Sequence, residues 1–240
     1  MSAKPPEYSD TDNVRWHPAT DVAALQRHAC CRIMEAAADA IAMRGRFILV
    51  LAGGSTPRAI YEALRDADTD WARWDIWFGD ERCLPKNDSE RNSTMAADAW
   101  LAHVPIPPAN IHFIAAGDDA IAAASRYAQA LHDVGTFDLV LLGLGEDGHT
   151  ASLFPGHDWG CAADAAAALA VLNAPKPPPR RVSMSASRLS NAHQVLFLVA
   201  GESKAEAVQR WRRRDAIPAR AIRPEAGVDV LLTSDLLGFD

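Results

Sequence analysis

The chain has 240 residues, 49% of them apolar, and a formal net charge of −7 at pH 7. This length suits one large α/β domain or two small ones. The acidic balance implies no nucleic-acid-binding surface, and no apolar run is long enough to span a membrane.

Residues 1–13 are polar, contain Pro5 and Pro6, lack the apolar centre of a signal peptide, and read as a flexible tail. Residues 14–240 read as a single α/β domain. Over residues 21–43, Val22, Leu25, Ile33, Met34, Ala37 and Ile41 recur at helical spacing. Phe47-Ile48-Leu49-Val50-Leu51-Ala52 is a short continuous apolar run, as expected of a strand buried on both faces. A glycine turn leads into a helix over 57–64, then come a strand over 75–78, a loop over 79–90 and a helix over 91–100. A strand over 111–114, a helix over 118–132 and a strand over 138–142 follow. The alanine-rich stretch 161–172 has no clear period, and Pro175-Lys176-Pro177-Pro178-Pro179 predicts a stiff extended connector. Beyond it, 181–185, 194–199 and 228–232 read as strands of the same sheet, and 202–213 as a helix. The alternation predicts an α/β fold: a mainly parallel, Rossmann-like sheet with helices on both faces. Cys30, Cys31, Cys83 and Cys161 have neither metal spacing nor a disulfide framework, which fits a reducing cytoplasm.

Chemistry gathers where strands end. Gly53-Gly54-Ser55-Thr56-Pro57 follows a strand and opens a helix, with Thr56 expected at the N-cap and Pro57 at the first helical position. Free N–H groups and the positive end of the helix dipole there suit a phosphate; the plain alternative is an ordinary strand-to-helix turn. Gly79-Asp80-Glu81-Arg82 also follows a strand, and Arg82 could grip a phosphate with two donors. The most informative segment runs from Gly143 to Pro155, where an apolar strand stops at a turn presenting Asp147 and His149 together. Open α/β sheets hold ligands at such strand ends, and histidine moves protons near neutral pH. Gly143, Gly145 and Gly148 fit a dinucleotide fingerprint, but Glu146 and Asp147 would repel a pyrophosphate. Arg181 and Lys204 are further candidates; Lys204 lies near a helix start, where a cation opposes the dipole and so hints at a ligand. Arg210, Arg212, Arg213 and Arg214 read as a basic helix end.

Taken in order, these motifs resemble the 6-phosphogluconolactonases, which share a fold group with glucosamine-6-phosphate deaminases, ribose-5-phosphate isomerases and CoA transferases. The resemblance runs through Gly53-Gly54-Ser55-Thr56-Pro57, Gly79-Asp80-Glu81-Arg82, Ser89-Glu90-Arg91-Asn92, Asp147-Gly148-His149-Thr150-Ala151-Ser152-Leu153-Phe154-Pro155, Arg181-Val182-Ser183 and Gly201-Glu202-Ser203-Lys204-Ala205. It implies a glucosamine-6-phosphate deaminase-like fold. It also implies that Gly53, Gly54, Ser55 and Thr56 hold a substrate phosphate, and that Arg82, Arg181 and Lys204 surround the phosphate and sugar. Asp147 and His149 would then flank a lactone carbonyl, with His149 as general base. The deaminases resemble this chain through Asp-Gly-His but carry a glutamate where this chain has Phe154, and usually a tyrosine where it has Arg82. The implied activity is therefore hydrolysis of a sugar-phosphate lactone in the cytoplasm, with no cofactor, metal, nucleic acid or membrane partner, by a monomer or weak homo-oligomer. Two alternatives stay open. One is a deaminase or isomerase on the same fold, which an assay with glucosamine-6-phosphate distinguishes. The other is a non-enzymatic sugar-phosphate sensor, for which the acidic chain shows no DNA-binding module.

Overall fold

A computed structural model describes residues 13–117 and 119–238, and in it strands and helices alternate from Val14 to Phe78 before the pattern is broken by the strands Asp80–Arg82, Ala168–Val171 and Arg181–Met184. The chain runs β1 (Val14–Ala19), α1 (Val22–Arg44), β2 (Phe47–Leu51), α2 (Ser55–Ala63), β3 (Trp74–Phe78), β4 (Asp80–Arg82) and α3 (Asn92–Ala96). It continues with β5 (Ile111–His112), α4 (Ala120–Ala130), β6 (Phe137–Gly143), β7 (Ala168–Val171) and β8 (Arg181–Met184). Last come α5 (Ala186–Ser190), β9 (Ala192–Val199), α6 (Ala205–Arg212) and β10 (Val228–Thr233). The tail expected over 1–13 lies, apart from Asn13, outside the described residues.

Seven strands form one sheet in the order β1-β10-β9-β6-β2-β3-β5, with every pairing parallel. All five residues of β2 are buried, as are the first six of β6, because helices pack around the sheet. Asp138 is the polar residue of that β6 run; its carboxylate accepts from the Ile48 N–H at 2.7 Å and pairs with Arg44. The core is one connected cluster from Ala19 to Leu236.

Three expectations need correction, and two strands, β1 and β7, had not been read. The strands after the proline connector do not share one sheet: β8 joins β4 and β7 in a separate antiparallel sheet, in the order β4-β8-β7. The loop expected over 79–90 contains β4, and the alanine-rich stretch supplies β7. Strand β1 was not read as an element; it borders β10 at the sheet edge. The first helix after the glycine turn starts at Ser55, so Gly54 rather than Thr56 is its N-cap, and Pro57 is its third residue.

The topology fixes where a ligand can sit. From β2 the chain moves to β3 and β5 on one side; β6 lies on the other side of β2 and leads to β9 and β10. The carboxyl ends of β2 and β6 therefore flank a switch point, where loops diverge and leave a crevice.

Candidate active site

A cleft of about 210 Å³ opens at that point. The end of β2 contributes Leu51 to Gly54, the turn from β3 into β4 contributes Gly79 and Asp80, and the end of β6 contributes Leu142 to Gly145. Arg82, Asn92, His149, Ala151, Arg181 and Lys204 complete the wall. Of the residues singled out from sequence, Gly53, Gly54, Arg82, His149, Arg181 and Lys204 line it. Ser55 and Thr56 form the first two positions of α2 beside it, and Asp147 stands behind His149, outside the lining.

The turn after β6 is built to hold an imidazole. The Asp147 carboxylate lies 2.5 Å from His149 Nδ1 and also accepts the His149 backbone N–H at 3.1 Å. This engages Nδ1 and leaves Nε2 as the ring nitrogen for the cleft. Gly145 makes room: a Cβ there would fall 1.9 Å from His149 Nδ1. Gly145 also donates its N–H to the His149 carbonyl at 2.7 Å, closing the loop. Burial pushes the imidazole pKa below its ordinary 6.5; the Asp147 charge and hydrogen bond oppose this, Lys176 adds to the lowering, and Asp80 opposes it. Burial alone would raise the Asp147 pKa, but the charge and hydrogen bonds of His149 outweigh it and hold the acid below the usual range. The result is a neutral imidazole against an ionised carboxylate near pH 7.

Phe154 closes the other side of the ring. It is fully buried, its centroid lies 4.8 Å from that of His149, and the Arg181 guanidinium stands 5.4 Å over it. An aromatic ring thus backs His149 on that side.

The cationic wall comes from the small sheet. Arg82 and Arg181 are direct partners in the antiparallel β4–β8 ladder. Like charges opposite one another destabilise a sheet, so this pair suits a site that receives an anion. Arg82 donates through Nη1 to the Glu90 carbonyl, while its Nε is buried without a partner. A buried unpartnered donor costs free energy, which a ligand oxygen would offset. Arg181 also bonds the connector: its Nε donates to the Pro178 carbonyl and its Nη2 to the Lys176 and Pro177 carbonyls. It clamps the proline connector as well as lining the cleft. Lys204 ends the short turn Glu202–Lys204 and is the N-cap of α6.

Several site residues had no role assigned from sequence. Asn92 donates to both the carbonyl and the carboxylate of Asp80 at 2.9 Å, and a Cβ on Gly53 would strike its side-chain oxygen. Ser152 donates to the other Asp80 oxygen at 2.5 Å. Glu81 is fully buried and accepts the N–H groups of Arg82, Asn92 and Ser93, so it is a structural cap rather than a solvated charge. Arg210 is not merely a basic helix end: its Nη1 donates to the Asp147 carbonyl at 3.1 Å. The signals were present as an acid pair at a strand end and the Ser89-Glu90-Arg91-Asn92 motif, but their partners lie far away in sequence.

A family model described as glucosamine-6-phosphate isomerases/6-phosphogluconolactonase matches residues 20–231. The 6-phosphogluconolactonase of Streptomyces coelicolor is 41% identical over 219 residues, covering 83% of this chain and 82% of that protein. The 6-phosphogluconolactonase of Mycobacterium leprae is 36% identical over 191 residues, covering 74% and 77%. The solved structure of 6-phosphogluconolactonase from Trypanosoma brucei superposes with a TM-score of 0.81 at 26% identity, covering 94% of this chain and 98% of that one. A monomeric glucosamine-6-phosphate deaminase shares the fold, with a TM-score of 0.78 at 22% identity, covering 93% and 98%. The chain therefore belongs to the glucosamine-6-phosphate isomerase/6-phosphogluconolactonase family of enzymes.

Proposed function

We propose that the chain hydrolyses 6-phospho-D-glucono-1,5-lactone to 6-phosphogluconate, the second step of the oxidative pentose phosphate pathway. The observation that carries this reading is the Asp147–His149 pair at 2.5 Å on a cleft whose other walls are Gly53-Gly54, Arg82 and Lys204. His149 Nε2 takes a proton from water as the water oxygen bonds to C1. The carbonyl electrons move to oxygen, and Arg82 or N–H groups of the 143–148 turn stabilise that oxyanion. As the carbonyl reforms, the bond from C1 to the ring oxygen breaks, and His149 returns its proton to that oxygen. The carboxylic acid product ionises and releases one proton to solvent. Asp147 orients the ring and stabilises its charged form.

The phosphate is assigned to Gly53, Gly54, Ser55 and Thr56 at the start of α2, with Lys204, Arg82 and Arg181 around it. Binding there is remote from the carbonyl and serves to position it. Phe154 favours the lactonase over the deaminase reading: ring opening of an amino sugar draws on an extra acid beside the histidine, and here the histidine meets an aromatic ring. The free thiols of Cys30, Cys31 and Cys161 suit the cytoplasm as the compartment.

Stopped-flow proton release on freshly generated lactone tests the reading. Wild type should accelerate release well beyond spontaneous opening, and His149→Ala should lose roughly two to four orders of magnitude in turnover. No acceleration by folded wild type, with turnover of glucosamine-6-phosphate instead, would replace the lactonase by the deaminase.

A further inference from the structure

The turn carrying Asp147 and His149 is held from outside at two successive carbonyls. The Gly148 carbonyl accepts the Ala219 N–H at 3.1 Å, and a Cβ on Gly148 would press into Ile217. The Asp147 carbonyl accepts Arg210 Nη1 at 3.1 Å. The first contact is backbone to backbone and needs no particular side chain at 219. The second rests on one side chain, and that side chain is itself fixed. Arg210 Nε pairs with Asp215 at 3.5 Å, while the Asp215 N–H bonds the Arg210 carbonyl at 2.9 Å. Arg210 belongs to α6, and Lys204, which lines the cleft, immediately precedes the first residue of that helix. Six residues of helical rise, about 9 Å, separate them. One rigid element thus presents a cation to the cleft at its start and grips the catalytic turn near its end.

We propose that Arg210 is a positioning residue: it fixes the Asp147 backbone, and through it the 2.5 Å contact that sets the His149 ring, relative to Lys204. The proposal rests on Asp147 and His149 being the reacting pair. A displacement of the acid by a fraction of an ångström changes both the direction of Nε2 and the charge His149 feels. The charged groups facing His149 are Asp147 on its own turn, Lys176 on the connector and Asp80 on β4; Arg210 touches the backbone beside it.

The test is Arg210→Met, which keeps length and removes the donor, read by kcat, KM and the NMR titration of the His149 ring. Turnover should fall about ten- to a hundredfold with KM within about twofold. The His149 pKa should fall further below the wild-type value, because a loosened Asp147 supports the imidazolium less. A general loss of folding would lower the active fraction without moving the titration of the folded molecules. Asp215→Asn, which removes the charge that Arg210 pairs with and leaves the turn untouched, should give a smaller change of the same sign and carries the test if Arg210→Met does not fold. Wild-type turnover and an unchanged His149 titration in the folded variants would overturn the proposal. The titration separates the two claims: if wild type proves inactive on the lactone, a shifted His149 pKa still supports the positioning role while the lactonase reading fails.

Discussion

Arg82 and Arg181 stand directly opposite one another in the β4–β8 ladder, and both line the cleft. This arrangement favours anion binding over stability of the empty protein. Inorganic phosphate at ten times its Kd should therefore stabilise wild type by about 1.4 kcal/mol. Arg82→Met should lose most of that increment, measured as the phosphate dependence of Tm. Equal phosphate shifts in both proteins would remove Arg82 from the anion site.

Gly145 and His149 share one space. In Gly145→Ala the new methyl group must push the imidazole off its Asp147 contact, because the two would otherwise lie 1.9 Å apart. Turnover should drop about a hundredfold while the protein remains folded. Circular dichroism and the stopped-flow assay together check this; retained turnover would mean that the ring position is not critical.

The pH profile follows from the sign of the His149 shift. Burial lowers its pKa, so the acid limb of kcat/KM should lie below 6.5, with activity lost as pH falls through it and the base becomes protonated. Asp147 opposes that lowering. Asp147→Asn should therefore move the limb to still lower pH while cutting the plateau rate. A limb that moves upward would contradict the assigned electrostatics.

Lys204→Ala should raise KM roughly tenfold or more and leave kcat within a fewfold, the pattern expected when a charge-assisted phosphate contact is lost. Steady-state kinetics decide. A defect confined to kcat would place the Lys204 ammonium at the reacting carbon instead.

Acid stability should depend on a residue far from the cleft. Asp229 is buried; burial alone would raise its pKa, but hydrogen bonds from Arg15, His17 and Arg32 outweigh this and hold it far below the usual range. Because the folded pKa is depressed, the stabilisation is present above the unfolded pKa of about 3.9 and is lost as pH falls from there toward the folded value. Asp229→Asn should cost about 2–3 kcal/mol at pH 7 and roughly 1 kcal/mol less at pH 3, the difference growing as pH falls further. Urea melts at both pH values test it; equal losses would exclude the charge as the cause.

The sheet was legible where burial on both faces writes an unbroken apolar run, as in Phe47–Leu51 and residues 139–142. The site was legible where strand ends carry glycines beside charged groups, which brought His149, Asp147, Arg82 and Lys204 forward. The small sheet was not. Its strand Asp80–Arg82 is three residues long and entirely charged, and its partner begins at Arg181. No local period encodes a pairing across that separation. Glu81 illustrates the cost: three adjacent charges read alike in sequence, yet one is a buried cap, one holds Asn92 and Ser152, and one carries the open donor. Arg181 was recognised as a cleft cation, but its grip on three connector carbonyls depends on how that connector bends.

Strand β1 has consequences for how the molecule is made. In its sheet it neighbours β10 alone, with Val14 beside Val228. As the chain leaves the ribosome, β1 emerges before the other described strands and has no sheet partner until β10 has been synthesised. Closing so long a loop is entropically costly and is accomplished by the assembled sheet rather than by local preference. The first of the described strands to be made is thus the last of them that can be added. Trp16, which stands edge-on to Trp211 with centroids 5.6 Å apart, gives that final docking step an intrinsic fluorescent reporter.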